Sequence, residues 1–219
     1  MAQGFDARPE AVYPRELPSL SEADFVAVLE ARRILSPQIE MAIEQAKLSH
    51  GDQARDNGES YLTEHIFPVA NEVILSYGLE TPAEEDIIGA LLHDAIEDDP
   101  DFTAELCLQR FGQTVTTLVQ VLTKQPGENQ PSLDESVKME INRALLSRIA
   151  RDCPRAMRIK LADRYHNLRS VISIRETNPA KYQRYLVETG VIFLPVAKEF
   201  SPYFYDKLRV ELEALRSLS

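Results

Sequence analysis

Residues 87–100 read Ile-Ile-Gly-Ala-Leu-Leu-His-Asp-Ala-Ile-Glu-Asp-Asp-Pro. Ile87, Ile88, Leu91, Leu92 and Ile96 recur at three- and four-residue spacing, the period of a helix that buries one face. Pro100 disfavours helical geometry at Asp99 and closes the segment. Positions four apart share a helix face, so a continuous helix would stack His93 on Glu97 and Asp94 on Asp98. Three consecutive acids at a helix C-terminus, Glu97, Asp98 and Asp99, oppose the macrodipole unless a cation sits there. His93 and Asp94 lie inside an apolar run and must be partly buried, where charges are paired or bind metal. Taken alone, the acidic run also reads as a solvated turn.

The same periodicity extends in both directions, with almost no period-two alternation, so the chain reads as all-α. Ser19-x-x-Glu22 has the form of a capping box. Ser36-Pro37 reads as N-cap followed by N1 proline, and Gly78 as a helix stop. Thr81-Pro82-x-Glu84 and Ser132-x-x-Glu135 read as further helix starts, and Ser201-Pro202 as the last. Phe102–Phe111 and Val115–Leu122 read as two helices, Lys124–Pro131 as a loop, and Pro195 as a kink in the run from Pro179 to Phe200. The expectation is a single-domain bundle of about nine or ten helices. Residues 36–219 form the domain, and residues 1–35 form an N-terminal extension carrying an extra helix.

The chain has 219 residues, 24 Lys+Arg, 35 Asp+Glu and a net charge of -11. That length fits one domain, and the acidic balance argues against a nucleic-acid polymer or an anionic membrane as partner. No stretch approaches the roughly 20 apolar residues of a membrane helix, and the N-terminus lacks the features of a secretion signal. Cys107 and Cys153 stand apart, as expected of reduced thiols in a cytoplasmic protein. The charge is uneven. Residues 81–105 carry nine acids and no Lys or Arg, whereas residues 151–169 carry six bases against two acids. The acidic balance therefore does not argue against one small, highly phosphorylated molecule held through a cation.

Two further groups carry chemistry. In Lys160-Leu-Ala-Asp-Arg-Tyr-His-Asn-Leu-Arg169, the residues Lys160, Asp163 and Asn167 share a face; an ion pair of Asp163 with Lys160 or Arg164 is the simpler reading. His65, at a helix start, reads alone as a capped or core histidine. His166 faces away from Asp163 and reads as structural, and His50 has no assigned chemistry.

Together these pieces resemble the HD-domain metal-dependent phosphohydrolases, whose ordered H…HD…D ligand set matches His65, His93-Asp94 and Asp163. The likeness is closest to the hydrolase domain of the Rel/Spo alarmone enzymes. Leu91–Asp98 resembles their HDxxED segment, and Lys160–Arg169 resembles "KLADRLHNMR". Phe111-Gly112 with Val115, Leu118-Val119 and Leu122-Thr123-Lys124 resembles "FG..V..LV.GVTK", and Arg55–Tyr61 resembles "RKSGEPY". Glu188-Thr189 and Pro195-Val196-Ala197 match weaker positions. The likeness spans about Ile39 to Phe200 and does not extend to a nucleotide-synthetase domain, which implies a stand-alone small alarmone hydrolase.

The resemblance implies an HD-type helical bundle and a divalent metal, with Mn²⁺ suited to two imidazoles and two carboxylates. It implies metal ligands His65, His93, Asp94 and Asp163, with Glu97 and Asp98 as the catalytic acids that orient or deprotonate water. It also implies substrate contacts from Arg55, Tyr61, Lys160 and Asn167, with Arg55 on the guanine base. The implied reaction removes the 3′-pyrophosphate of (p)ppGpp. Three departures stand out: Asp56 occupies the usual Lys position, Ser60 replaces Pro, and Tyr61 to His65 is one residue longer than usual, which would re-aim Arg55. These leave two alternatives: an HD phosphohydrolase for another nucleotide or NADPH, and a non-catalytic nucleotide-sensing module. Oligomeric state is not legible.

Overall fold

The computed structural model describes residues 19–55, 58–128, 130 and 132–218. Asp56, Pro131 and the first half of the proposed N-terminal extension lie outside them. The described residues form α1 (Glu22–Ala31), α2 (Pro37–His50), α3 (Phe67–Leu75), α4 (Glu84–Leu91), α5 (Ala95–Asp98), α6 (Ala104–Leu122), α7 (Glu135–Asp152), α8 (Met157–Ser170), α9 (Pro179–Glu188), α10 (Leu194–Phe200) and α11 (Pro202–Ser217). α5 and α10 are short continuations of α4 and α9. With each pair counted once, the described residues hold nine helices, as the periodicity implies. The only β feature among them is an isolated pairing of Ala54 with Ser60. No helix among the described residues is long and apolar enough to cross a membrane.

α3 and α8 lie at the centre, with α4 against both and α11 against α8. α8 is buried nearly all round: Ile159, Leu161, Ala162, Tyr165 and Leu168 are buried beside Asp163, Arg164 and His166. A helix in that position must satisfy its charges internally. Gly89 lets α4 close on its neighbours, since a Cβ there would lie 3.1 Å from Ile159 Cδ1 and 3.2 Å from Leu118 Cδ1. α1 packs through Phe25, whose ring stacks on Phe67 at 5.4 Å.

Caps follow the sequence in part. Ser36 accepts from the Ile39 amide with Pro37 in the first turn, and Ser201 accepts from Phe204 ahead of α11. Ser21 caps α1 by accepting from Asp24, where the capping-box reading placed Ser19. α4 starts from Ala83 and α7 from Asp134, neither with a side-chain cap. Thr81 does not cap α4, and the first-turn side chain of Glu84 instead accepts from the Ser36 hydroxyl. Phe102 precedes α6, which Thr103 caps. The two expected helical runs within α6 meet at Gly112, whose φ of 79° and ψ of 177° break the helix in a conformation open to glycine.

Two π-helical turns precede prolines in the first turn of the next helix: Leu62–Ile66 before Pro68, and Thr189–Phe193 before Pro195. Proline has no N–H and crowds the carbonyl four residues back, so a widened turn relieves both conflicts. The break therefore falls ahead of Pro195.

Candidate metal and nucleotide site

The helix expected to run through His93 and Asp94 stops before them. α4 ends at Leu91, Leu92 leaves helical geometry (φ -108°, ψ 8°), and α5 begins at Ala95. His93 and Asp94 occupy the intervening turn, so His93 does not stack on Glu97. Its Nδ1 lies 2.7 Å from the Ala90 carbonyl, while Glu97 accepts from the Lys124 amide at 3.1 Å and from Lys124 Nζ at 3.3 Å. The acidic helix end is thus answered locally by donors: Lys124 on Glu97, Gln53 on Asp98 and Ser49 on Asp99.

Three elements converge on one point. The π-turn before α3 supplies His65, the α4–α5 turn supplies His93 and Asp94, and α8 supplies Asp163. Single ligand atoms of His65, His93 and Asp163 all lie within 4.8 Å of one another, and all three residues are buried. Asp94 joins them from the side: its Oδ2 is 3.1 Å from His93 Nε2 and 3.7 Å from His65 Nε2. His65 Nε2 is also 3.5 Å from Asp163 Oδ1. The extra residue between Tyr61 and His65 is taken up by the π-turn. Tyr61 donates to Asp94 Oδ2 at 2.6 Å, and Arg55 still reaches Asn167 Oδ1 (3.2 Å) and Ser170 Oγ (2.5 Å).

The charges are arranged in opposition. Burial drives His65 down to about 4, against the pull of Asp94, so its imidazole is neutral. Burial would lower His93 too, but the carboxylates of Asp94 and then Asp163 overcome it and hold His93 at about 9. Burial opposes ionisation of Asp163, yet the Lys160 ammonium at 2.8 Å leads the effects that bring it to about 2. Lys160 rises to about 12, with Asp163 and Asp94 outweighing its desolvation. Asn167 donates to the other oxygen of Asp163. Arg164, the other partner considered for Asp163, turns away to Glu188 (2.8 Å), Thr189 Oγ1 (2.9 Å) and the Tyr185 carbonyl (2.7 Å). Burial, then the charge of Asp94, raises Asp98.

The donor set fits a divalent ion. His93 donates Nδ1–H to a backbone carbonyl, which turns Nε2 inward, as in ligating histidines. That Nε2 is buried and has no well-aligned hydrogen bond, its nearest acceptor being Asp94 Oδ2 at 3.1 Å, so nitrogen and carboxylate oxygen are free to turn to a shared cation. Tyr61 on Asp94, with Lys160 and Asn167 on Asp163, are outer partners that orient the two carboxylates.

Beside this cluster opens a cleft of about 600 Å³, lined by Tyr61, Asp94, Glu97, Asp98, Lys160, Asp163 and Asn167. Lys124, Lys138, Lys181, Arg184 and Tyr185 also line it, together with Glu128 and Glu135; Lys124 is paired with Glu97, and Lys138 and Arg184 with Glu135. Arg55 lines a small adjoining recess that shares Asn167, Lys181 and Tyr185 with the cleft. Lys138, Lys181, Arg184 and Tyr185 were not candidates from sequence. The three bases are ordinary surface choices along α7 and α9, and they and Tyr185 come to line the cleft only through the packing of those helices. His166 is buried behind the site, its ring edge-on to His65 at 6.4 Å.

A family model described as HD domain matches residues 42–199. The chain belongs to the HD domain family. Among its relatives, the guanosine-3′,5′-bis(diphosphate) 3′-pyrophosphohydrolase of Haemophilus influenzae is 35% identical over 170 residues, covering 78% of this chain and 23% of the relative. The Aquifex aeolicus protein of the same name is 36% identical over 160 residues, 73% of this chain and 21% of its own length. A probable GTP pyrophosphokinase of Mycobacterium leprae is 34% identical over 159 residues, 73% and 19%. This chain therefore spans about a fifth of the length of these relatives. A solved structure of a metazoan ortholog of SpoT, described as hydrolysing ppGpp, superposes with a TM-score of 0.64 at 26% identity, covering 84% of this chain and 97% of that one. The HD domain assignment and the all-α architecture agree with each other and with the resemblance carried by the HD and KLADR segments.

Proposed function

We propose that this HD domain protein is a metal-dependent phosphohydrolase that removes the 3′-pyrophosphate of guanosine tetra- or pentaphosphate. The observation that carries the reading is the buried meeting of His65, His93 and Asp163, flanked by Asp94, at the edge of a cleft whose lining also carries Lys124, Lys138, Lys181 and Arg184. The names of the relatives and of the structural neighbour support the same substrate. A cleft of about 600 Å³ lies within the roughly 300–1,000 Å³ of small-molecule sites.

His65, His93, Asp94 and Asp163 would hold the ion, with Mn²⁺ as the metal. When bound, it supplies phosphate charge neutralisation and a lowered pKa for water. In the net reaction, water oxygen bonds to the phosphorus attached to O3′ and the P–O3′ bond breaks. One water proton ends on O3′, yielding GDP or GTP and pyrophosphate. Asp98, raised by burial beside Asp94, is suited to hold and pass that proton. Glu97 aligns the edge of the site through Lys124. Arg55 and Asn167 line the nucleoside end, with Arg55 Cζ 5.7 Å from the Tyr61 ring centre. Residues 36–219 would act as the catalytic unit of a cytoplasmic enzyme, with residues 1–35 as an extension.

Purified protein with Mn²⁺ is given ppGpp, pppGpp, GTP and NADPH, and pyrophosphate is measured separately from orthophosphate. Pyrophosphate release from ppGpp, abolished in Asp94→Ala, is the expected result. Turnover of another nucleotide with none of ppGpp overturns the substrate. Full ppGpp activity in Asp94→Ala overturns the metal site.

A further inference from the structure

His50 is buried on the last turn of α2 and plays no part in the reaction outlined above. Its Nδ1 lies 2.7 Å from Gln53 Oε1, and Gln53 Nε2 donates to Asp98 Oδ2 at 3.4 Å. With Asp98 ionised, the chemistry of the three groups allows one arrangement. An ionised carboxylate only accepts, so the amide must present its NH₂ to Asp98. The amide oxygen then faces His50, which must donate Nδ1–H. The opposite tautomer would draw the amide round and set its oxygen against the carboxylate. The tautomer of His50 thus dictates which end of Gln53 meets Asp98.

The scaffold around this chain is fixed at several points. Gln53 accepts from the Tyr61 amide through its carbonyl at 3.0 Å and donates its own amide to the His50 carbonyl at 3.0 Å. The His50 ring packs 5.3 Å from the Tyr61 ring. One residue earlier, Ser49 donates to Asp99 at 2.7 Å and accepts from Gln45 at 3.0 Å. The end of α2 therefore grips two successive acids of the α5 terminus. His50 Nδ1 itself lies 3.9 Å from Asp98 Oδ2, beyond hydrogen-bond reach; of the other groups acting on Asp98, Asp94 and Glu97 cannot donate to it when ionised, and the Tyr61 hydroxyl is committed to Asp94.

We infer that His50 and Gln53 are positioning residues that hold the Asp98 carboxylate at the edge of the cleft, His50 acting through the Gln53 amide. The inference rests on the function proposed above for the role of Asp98, and on the geometry alone for its placement. Gln53 is half-buried, so Gln53→Leu removes the link with little effect on the core. His50→Leu removes the donor, whereas His50→Asn keeps an N–H close to where Nδ1 stands.

Wild type and the three variants are compared for kcat and KM of ppGpp hydrolysis, Mn²⁺ affinity by calorimetry, and Asp98 conformation by crystallography. Gln53→Leu and His50→Leu are expected to lower kcat roughly tenfold to a hundredfold, the scale of a misplaced catalytic group. KM and Mn²⁺ affinity stay within about twofold of wild type, and His50→Asn recovers most of kcat, because only the aim of Asp98 is altered. Wild-type kcat in Gln53→Leu overturns the inference. So does equal loss in His50→Leu and His50→Asn, which would mark His50 as a packing residue. If wild type does not hydrolyse ppGpp, the proposed function fails on its own and the crystal structures decide the inference. Asp98 leaving its wild-type rotamer in Gln53→Leu supports it, and an unmoved Asp98 overturns it.

Discussion

Replacing Tyr61 by Phe removes one hydroxyl from beneath the site and little else. The phenol donates to Asp94 Oδ2 at 2.6 Å, and the ring packs 4.8 Å from His65 and 5.3 Å from His50. Phenylalanine keeps those ring contacts. A hydrogen bond to an ionised acceptor contributes about 1.5–3 kcal/mol, so the metal-free protein should lose an amount within that range. In the metal-bound protein the phenol is an outer partner of a ligand. Its loss should weaken Mn²⁺ binding roughly tenfold to a hundredfold, or about 1.4–2.7 kcal/mol. Burial, then the charge of Asp94, holds the Tyr61 phenol well above its ordinary range, so it stays a donor and the loss should be the same from pH 6 to pH 9. Urea unfolding in excess chelator measures the first quantity, and calorimetric titration of chelator-stripped protein with Mn²⁺ measures the second. A Phe variant that binds Mn²⁺ as tightly as wild type and unfolds at the same urea concentration would refute both the strength assigned to this bond and Asp94 as a phenol-held ligand.

Arg164→Met strips the buried Glu188 of its closest cation, leaving Arg184 at 3.1 Å and Asn142 at 3.0 Å as partners. Breaking a buried pair commonly costs about 3–5 kcal/mol. The surviving partners place this loss near the lower end, readable as a shift in urea midpoint, and Glu188→Gln in the same background should recover part of it; a loss under about 1 kcal/mol would contradict the reading. Stability of the chelated protein should peak near pH 6.5 because the site histidines shift in opposite senses. His93, raised to about 9, contributes stability that is complete below about pH 6.5 and lost as pH rises through 9. His65, lowered to about 4, adds stability as pH rises from 4 to about 6.5, where its unfolded form gives up the extra proton. Urea midpoints at pH 5, 6.5 and 9 in chelator test this, and a monotonic trend would contradict it.

The helical class was legible because period and punctuation are local properties. Ser36-Pro37, Ser201-Pro202, the stop at Gly78 and the break at Gly112 follow from backbone chemistry within a few residues. At Ser19, Thr81 and Ser132 the sequence offers a good capping residue, but the helices start from Ser21, Ala83 and Asp134. The hydroxyl that meets the first turn of α4 comes from Ser36, 48 positions away. The continuous helix drawn through His93 failed for a related reason. An amphipathic period describes which residues are buried, and burial is satisfied equally by a helix that stops at Leu91 and restarts at Ala95. The pull that turns His93 and Asp94 inward comes from Tyr61, His65 and Asp163, which no local window contains.

The sequence alone determined that this chain is an all-α HD domain protein. It named the imidazoles and carboxylates able to gather at one point, since residue identity sets which atoms can donate, accept or ligate. Only the tertiary structure decided how those atoms are presented: His65 through a π-turn that absorbs an extra residue, and Arg164 spent on Glu188 while Lys160 takes Asp163. It alone brought lysines and an arginine from the loop after α6 and from α7 and α9 to face the acids, and set His50 behind Asp98. Distance between side chains from separate helices is a product of packing, and electrostatics, hydrogen bonding and proton affinity all depend on that distance.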